Sequence, residues 1–270
     1  MDKILLDAGS SGEYGGHSAE NALRCLRLYA IKSVEGRDLS DRNALVRGAI
    51  GHVGLAHHYA RRWAAENDED VEAFYTPIEA MKLVAAQNGE LGKHHLATNI
   101  ALYQFYATSY RQEKLRVRHV EEILSMEIPK RDGSGFWPYT QRLDLAVEEG
   151  RKIYIWDHKI VGRISNSTVA RYTLSIQMVG YQHLGKKYFG KDFGGVKLNL
   201  LGMDRMQFLR ELVDPAPEAY RTFYGTICEA RERIEKYAKV PTRDWPKTMS
   251  EQTCMTPYGP CDAFRMCQWG

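Results

Sequence analysis

Two short apolar segments that each carry a carboxylate are the part of this chain best suited to chemistry. Asp144 lies in the segment 143–147, and Asp157 follows the segment 153–156. Their composition predicts two strands of a hairpin, which would place Asp144 beside Asp157. Lys159 would project from the same face as Asp157, because side chains alternate along a strand. Two carboxylates and an ammonium seldom gather without a function. They predict a site for a hard divalent cation and a polarised water, a combination that hydrolyses phosphodiester bonds.

Helices and strands must position these residues, and hydrophobic periodicity predicts both. The predicted helices span residues 42–66, 70–87, 92–117, 168–189 and 214–239, and the predicted strands span 120–129, 136–148, 151–161 and 195–203. This order predicts an α/β fold in which helices flank a mixed central sheet, with a helical region at the N-terminus. After Pro241 we expect an irregular, cysteine-rich C-terminal tail. The length of 270 residues favours a single domain.

The composition is that of an ordinary globular protein and excludes few functions. The chain is 44% hydrophobic and 26% charged, with a net charge of +3. This net charge is compatible with a nucleic-acid partner but does not by itself indicate one. The sequence has no apolar run of membrane-spanning length and no signal peptide at its start. We therefore expect no membrane partner and a cytoplasmic location.

Four short segments share the order and residues of a set of nuclease motifs. They are Arg-Gly-Ala-Ile-Gly-His at 47–52, Arg-Leu-Asp at 142–144, Asp-His-Lys at 157–159 and Gln-Met-Val-Gly-Tyr at 177–181. Over residues 18–267 the chain resembles the RecB-like branch of the PD-(D/E)XK nuclease superfamily. The resemblance implies a restriction-endonuclease-like core in one domain, 1–270. Within it, 1–117 would be mainly helical, 118–205 the nuclease core, and 206–270 a C-terminal helix and cysteine tail.

The resemblance also implies a set of metal ligands. They are Asp144, Asp157, the ring of His52 and the main-chain carbonyl of His158. Oxygen ligands suit Mg²⁺ or Mn²⁺, and a histidine nitrogen indicates tolerance of Mn²⁺.

Three further residues would take part in catalysis by the same resemblance. Lys159 would orient or deprotonate the attacking water and offset charge on the phosphate. Gln177 and Tyr181 lie four residues apart and so on one helical face. They would hold the lysine side of the site or the DNA strand beside it.

The chain departs from the family pattern at two places. Gln141 stands where the branch usually has glycine. The branch also has an acidic residue upstream, and Glu121, Glu122 and Glu127 all compete for that role. The sequence leaves this choice open.

Four cysteines fall into a one-plus-three arrangement. Cys25 lies in the segment 18–29, which resembles the N-terminal segment of RecB-like nucleases with an iron–sulfur cluster, among them CRISPR-associated exonucleases. Cys254, Cys261 and Cys267 lie near the C-terminus. The resemblance implies a 4Fe-4S cluster on these four thiolates, with structural Zn²⁺ as the alternative. Cys228 is predicted to be a core residue.

Together these features predict a metal-dependent DNA exonuclease that acts on single-stranded DNA or DNA ends. The alternatives are an endonuclease with the same core and a non-catalytic DNA-end-binding module. A helicase, recombination or CRISPR partner and a homo-oligomer are compatible with the sequence. The candidate base-stacking surfaces are the aromatic residues Tyr103, Phe105, Tyr106 and Tyr110.

Overall fold

The computed structural model describes residues 3–6, 12–37, 42–256 and 259–269, and the chain divides into two compact units. The first unit comprises Met1–Ser10, Arg42–Leu124 and Arg142–Ala216, and the second comprises Ser11–Asp41, Ser125–Gln141 and Pro217–Gly270. In chain order the elements are α1 (Gly16–Arg24), α2 (Leu26–Tyr29), α3 (Arg42–Glu66), α4 (Pro77–Gln87), α5 (Gly89–Ser109), β1 (Arg116–Val120), β2 (Ile123–Pro129), β3 (Phe136–Arg142), β4 (Leu145–Glu149), β5 (Lys152–Val161), α6 (Asn166–Ala170), α7 (Ile176–Phe189), β6 (Phe193–Gly202), β7 (Gln207–Val213), α8 (Pro217–Tyr237), α9 (Glu251–Cys254), β8 (Met255–Thr256), β9 (Gly259–Pro260) and α10 (Phe264–Trp269).

A five-stranded mixed sheet forms the centre of the first unit. Its strand order is β1-β4-β5-β6-β7. The β5–β6 pair is parallel, and the other three pairs are antiparallel. The two parallel strands are joined through α6 and α7, as a parallel crossover requires. This architecture confirms the predicted α/β fold with a mixed sheet flanked by helices and a helical N-terminal region.

Helix α3 packs against the sheet of the first unit. Leu55 and Tyr59 of α3 share a buried cluster with Val147 of β4 and Trp156 of β5. A second cluster joins α3 to α4 and α5; its buried members are Val46, Ile50, Val53, Ala80, Met81 and Ala85. These apolar residues recur at helical spacing, so burial of two faces of α3 explains why the sequence forms one long helix here.

Helix α3 lies close to β5 at Gly51. A Cβ atom at this position would overlap Cδ1 of Ile160 and would lie 2.8 Å from Oδ1 of Asn99. Gly48, one turn earlier, has nothing within 4 Å of such a Cβ. Gly51 therefore sets how closely α3 lies on β5 and α5, whereas Gly48 does not.

The second unit contains α1, α2, most of the β2–β3 hairpin, α8 and the C-terminal elements. Tyr139 of β3 packs edge-on against Phe223 of α8, with ring centroids 5.3 Å apart. Arg231 of α8 donates a hydrogen bond to the carbonyl of Glu13 at 3.0 Å. A small buried cluster of Leu28, Ile31 and Ala263 joins the region after α1 to the C-terminal elements.

Several predicted element boundaries were wrong. The predicted helix 92–117 ends at Ser109, and its last two residues belong to β1. This strand pairs with β4, and its Val117 amide donates a hydrogen bond to the Glu66 carboxylate at 2.8 Å. The predicted strand 136–148 is two strands, β3 and β4, interrupted at residues 143 and 144.

Two further predicted helices differ from the structure: one is shorter than predicted, and the other is divided in two. The predicted helix 70–87 begins at Pro77, where Thr76 and Glu79 form a reciprocal N-terminal cap. The predicted helix 168–189 is divided into α6 and α7.

The sheet and the tail also hold elements that the sequence pattern did not predict. Strand β7 was missed, since its apolar residues occur in adjacent pairs and do not alternate with polar ones. The region after Pro241 is not an irregular tail, because it contains α9, the β8–β9 pair and α10. No helix in the part of the chain that the structure describes has the length and apolar character that a bilayer crossing requires.

Candidate functional site

The β4–β5 hairpin brings the predicted acidic residues together. Leu145 is paired with Trp156, so one further step of this antiparallel register sets Asp144 opposite Asp157. Lys159, two residues along β5, places its Nζ atom 2.5 Å from Oδ2 of Asp157. The predicted hairpin and the predicted shared face of Asp157 and Lys159 are therefore both present.

Three side chains in the first unit form a group that could hold a metal ion. The ligand atoms of His52, Glu121 and Asp144 all lie within 4.8 Å of one another, and this is the group of that kind among the described residues. Nδ1 of His52 lies 3.6 Å from Oδ2 of Asp144. The amide of His158 donates to the same Oδ2 at 2.6 Å and orients the carboxylate. Two carboxylates and one imidazole suit a divalent ion such as Mg²⁺ or Mn²⁺.

Glu121 is the member of this group that sequence analysis could not choose. Its backbone has φ +52°, a left-handed conformation that costs a residue with a side chain about 1 kcal/mol. Its amide donates to the carbonyl of Asp144 at 3.1 Å, which fixes the turn after β1 beside the metal group. The other two candidates lie elsewhere: Glu122 forms an ion pair with His119, and Glu127 is exposed.

Burial controls the protonation of the acidic residues. Asp144 and Asp157 both have raised pKa values, because burial disfavours their charged forms. Oδ1 of Asp157 is buried without a hydrogen-bond donor among the described residues. A buried carboxylate oxygen with no donor fits a site completed by a cation. Asp157 lies outside the three-residue group, so its role as a ligand stays a prediction.

The imidazole of His52 is held neutral, which is the form that binds metals. Burial, and then the nearby charge of Lys159, lower its pKa to about 4. At neutral pH the ring therefore keeps a free nitrogen lone pair for a cation.

A chain of hydrogen bonds joins the three predicted catalytic residues. Nζ of Lys159 donates to Oε1 of Gln177 at 3.3 Å, and Nε2 of Gln177 donates to the Tyr181 hydroxyl at 3.4 Å. That hydroxyl donates to the carbonyl of Arg142 at 2.5 Å. Burial lowers the pKa of Lys159, but Asp157 and Asp144 outweigh burial and raise it. Lys159 is therefore an ammonium, anchored through α7 to the segment that precedes Asp144.

His158 is held by a buried polar network. Its Nδ1 lies 2.9 Å from Nδ2 of Asn199, which donates to the Tyr106 hydroxyl at 2.9 Å. Arg210 donates to the same hydroxyl at 2.7 Å, and the His158 ring stacks on Tyr59 with centroids 5.9 Å apart. The network fixes the strand position whose amide orients Asp144. The predicted ligation by the His158 carbonyl stays a prediction.

The predicted row of stacking aromatics is wrong at one position. Tyr106 is fully buried and hydrogen-bonded, so it cannot meet a base. Tyr110 is partly covered by the Arg210 guanidinium, 3.5 Å from its ring centroid. Tyr103 hydrogen-bonds His58 at 3.2 Å, whereas Phe105 is 57% exposed.

The four predicted cluster cysteines line one cavity of about 320 Å³ in the second unit. The other described residues that line it are Leu28, Lys247, Thr248, Met249, Thr253, Ala263, Phe264 and Gln268. The β8–β9 pair reverses the direction of the chain, and the Cys261 amide donates a hydrogen bond to the Cys254 carbonyl at 2.7 Å.

The thiols of this cavity differ in their titration. Burial raises the pKa of Cys267. Burial acts in the same direction on Cys25, but hydrogen bonds from the Leu28, Thr248 and Arg27 amides and the Thr248 hydroxyl outweigh it and lower its pKa. The Cys25 sulfur is thus prepared to act as a thiolate ligand. Cys228 is buried, and its Sγ donates to the Pro129 carbonyl at 3.2 Å, which agrees with its predicted core role.

Comparison with known proteins gives a fold likeness. No family model matches the chain, and no curated protein matches it. A crystal structure named "Putative exonuclease" from Eubacterium rectale aligns with 94% of this chain and 87% of its own, with a TM-score of 0.53 and 13% identity. At that identity the likeness shows a shared fold. The structure of SSO0001 aligns with 71% of this chain and 76% of its own at 13% identity, but its TM-score of 0.33 carries no argument.

Proposed function

We propose that this chain is a divalent-metal-dependent deoxyribonuclease, an exonuclease that acts on single-stranded DNA or on DNA ends. The observation that carries the proposal is the group of His52, Glu121 and Asp144, whose ligand atoms lie within 4.8 Å of one another. Beside it lies the ion pair of Asp157 with Lys159, 2.5 Å apart. The name of the Eubacterium rectale protein, whose fold the chain shares, supports the same activity.

The ligand set follows from the chemistry of these side chains. His52, Glu121 and Asp144 would hold Mg²⁺ or Mn²⁺, and Asp157 would add a ligand from its buried, donor-free oxygen. Such an ion, when bound, makes a water nucleophilic at neutral pH and polarises a phosphoryl oxygen. Replacement of the histidine nitrogen by an oxygen donor is expected to shift the preference from Mn²⁺ toward Mg²⁺.

The protein groups around the metal ligands would handle the substrate. Lys159, as an ammonium, would donate to the attacking water or to a phosphate oxygen and offset the negative charge that grows there. Gln177 accepts a hydrogen bond from Lys159 and limits the directions in which its ammonium can point. Tyr181 fixes the strand that leads to Asp144 through the Arg142 carbonyl. Lys159 thereby acts by charge and position rather than as a base.

We also propose that the cysteine cavity holds a 4Fe-4S cluster. Four thiols line a cavity of about 320 Å³, and cysteine thiolates are the usual ligands of such a cluster. A structural Zn²⁺ ion on the same four thiolates stays the alternative. The cluster would stabilise the second unit by joining α2 to the C-terminal elements.

Degradation of labelled DNA tests the proposed activity. The full chain, purified without oxygen, would be mixed with end-labelled linear or circular single-stranded DNA in Mg²⁺, Mn²⁺ or EDTA. We expect loss of the linear substrate alone, in a metal-dependent reaction. Loss of the circle as well would replace the exonuclease by an endonuclease. Binding without cleavage in every metal would instead favour the end-binding module. Partner proteins and oligomeric state stay predictions.

A further inference from the structure

The connection between β5 and α7 carries an aromatic side chain next to the catalytic lysine. Tyr172 lies in this connection, and its ring centroid is 5.9 Å from Nζ of Lys159. The connection joins the strand that bears Asp157 and Lys159 to the helix that bears Gln177. The Tyr172 ring is thus a neighbour of the Lys159 ammonium.

A second cation lies on the same ring. The Arg171 guanidinium carbon is 5.0 Å from the Tyr172 centroid, and Nη2 of Arg171 donates to the Tyr172 hydroxyl at 3.2 Å. Arg171 is exposed and Tyr172 is half-buried. Aromatic rings and guanidinium planes are the two protein surfaces on which nucleobases stack. The pair therefore presents a stacking surface that a base can use from solvent.

The connection is ordered around this pair. Ser165 and Thr168 form a reciprocal cap: the Ser165 amide donates to Oγ1 of Thr168 at 3.1 Å, and their hydroxyls are 2.9 Å apart. Thr168 is buried, and the Tyr172 amide donates to the Val169 carbonyl at 2.9 Å. Because these bonds fix the backbone before DNA arrives, ordering the connection would cost little on binding.

An exposed leucine lies in the same connection. Leu174 is 70% exposed and lies two residues after Tyr172, at the approach to α7. Exposed on its own, a leucine needs no explanation. Together with Tyr172 it gives this connection apolar surface as well as the charge of Arg171.

We propose, on the premise that the chain cleaves DNA as proposed above, that Tyr172 and Arg171 form a nucleobase subsite. The base of a nucleotide adjoining the scissile phosphate stacks on the Tyr172 ring, with the Arg171 guanidinium as the movable cation beside it. The Lys159 ammonium then faces the phosphate of the same nucleotide. The subsite accepts any base, because every base has a π face. Tyr172 is a substrate-positioning residue in this arrangement.

Fluorescence of 2-aminopurine tests the subsite, because stacking quenches it. Single-stranded oligonucleotides would carry 2-aminopurine at successive positions from the end. They would be mixed with the full-length chain in Ca²⁺, a larger cation that also takes oxygen ligands. We expect quenching at one or two adjacent positions with the wild-type chain and with Tyr172→Phe. Tyr172→Ala should lose that quenching. Equal quenching by Tyr172→Ala would overturn the proposal.

Steady-state kinetics in Mn²⁺ supply the second readout. Loss of one stacked base is expected to raise KM between about 5-fold and 150-fold for Tyr172→Ala. Tyr172→Phe should stay within about twofold of wild type, because the ring is retained. A fall in kcat with unchanged KM would overturn the stacking role, since it would mean that the ring only orients Lys159. Tyr172→Leu keeps an apolar side chain and serves if the alanine variant does not fold.

Tyr188 provides a matched control. It also carries the cation of the preceding residue, with Lys187 Nζ 5.6 Å from its ring centroid. It lies eleven residues after Gln177 on α7, about 16 Å along the helix axis. Tyr188→Ala should leave the quenching and KM unchanged; a loss equal to that of Tyr172→Ala would overturn the proposal. If the wild-type chain neither binds nor cleaves DNA in any metal, the proposed nuclease function is refuted. If the wild type cleaves DNA and Tyr172→Ala has the same quenching and KM, only the subsite is refuted.

Discussion

Substitution of Gly51 by alanine tests whether the segment 47–52 packs closely on the sheet. Its effect on stability can be distinguished from the effect of alanine on helix propensity. Three glycines, Gly48, Gly51 and Gly54, lie one turn apart in α3, and of the first two only Gly51 is close to the sheet. A Cβ at Gly51 would overlap Ile160 Cδ1 and would lie 2.8 Å from Asn99 Oδ1 and 3.2 Å from Ile160 Cγ1. A Cβ at Gly48 has nothing within 4 Å. The same chemical change therefore meets opposite surroundings.

The magnitude follows from two opposing terms. Alanine in place of glycine within a helix stabilises the folded state by about 1 kcal/mol. Gly48→Ala should show that gain in full. Gly51→Ala has the same gain, but overpacking a buried contact costs about 1 to 3 kcal/mol. The free energies of unfolding of the two variants should therefore differ by about 1 to 3 kcal/mol, with Gly51→Ala the less stable.

A double mutant identifies the clashing atom. Ile160→Val removes Cδ1, which by itself should cost about 0.5 to 1.5 kcal/mol. In the Gly51→Ala background the same change also removes the overlap, so we expect a favourable coupling energy of at least about 0.5 kcal/mol. Urea unfolding followed by circular dichroism measures all four free energies, in the absence of metal. Equal stabilities for Gly48→Ala and Gly51→Ala, or no coupling with Ile160→Val, would refute the close contact of α3 with β5.

Three further predictions concern other parts of the molecule. Burial, and then Arg62 and Arg210, lower the pKa of His58 to about 4. The unfolded state therefore binds the extra proton between pH 6.5 and 4, and the free energy of unfolding should fall by up to about 3 kcal/mol as pH falls through that window; His58→Gln should flatten this loss in urea titrations, and an unchanged slope would contradict the burial of the ring. Cys25→Ser should abolish the visible absorbance and bound iron of anaerobically purified protein, whereas Cys228→Ser should retain both; iron kept by the first variant would exclude Cys25 as a ligand. Asn199→Leu should lower the free energy of unfolding by about 1 to 3 kcal/mol, because it leaves buried polar partners unsatisfied; stability equal to wild type would show that the network is not needed.

The β4–β5 hairpin could be predicted because its signals are local. The alternation of side chains along β5 sets Asp157 and Lys159 on one face, and the pairing with β4 follows from a short turn. The spacing of Gln177 and Tyr181 similarly follows from one helical turn. Each of these relations spans few residues, so no distant contact could change it.

Glu121 could not be predicted because its position depends on a backbone turn with φ +52°. No residue type in the turn announces that conformation, since glycine is the residue that usually adopts it. The amide of Glu121 is held by the Asp144 carbonyl, 23 residues along the chain. This contact between residues far apart in the sequence determines which of three nearby acidic residues joins the group with His52 and Asp144. The spacing of residues in the sequence does not show such a contact.

Pairing between distant strands explains the missed edges of the sheet. The first two residues of β1, Arg116 and Val117, were assigned to the end of a helix, because a strand of five residues offers too few positions for a clear alternation. β7 alternates weakly and has mostly partly exposed or exposed side chains. Both strands depend on a neighbour in the sheet, β4 for the first and β6 for the second. Such edge strands are fixed by tertiary contacts more than by propensity.

The most direct test of the account compares two adjacent acidic residues in one cleavage assay. Glu121 belongs to the metal group, whereas its neighbour Glu122 pairs with His119. Labelled linear single-stranded DNA would be incubated in Mn²⁺ with the wild-type chain, Glu121→Gln or Glu122→Gln. We predict cleavage by the wild type and by Glu122→Gln, and EDTA should abolish both. Glu121→Gln should lose at least about 100-fold in rate, since a direct ligand should matter at least as much as its supporting residues. Cleavage by Glu121→Gln at the wild-type rate, or by any of them in EDTA, would contradict the metal centre.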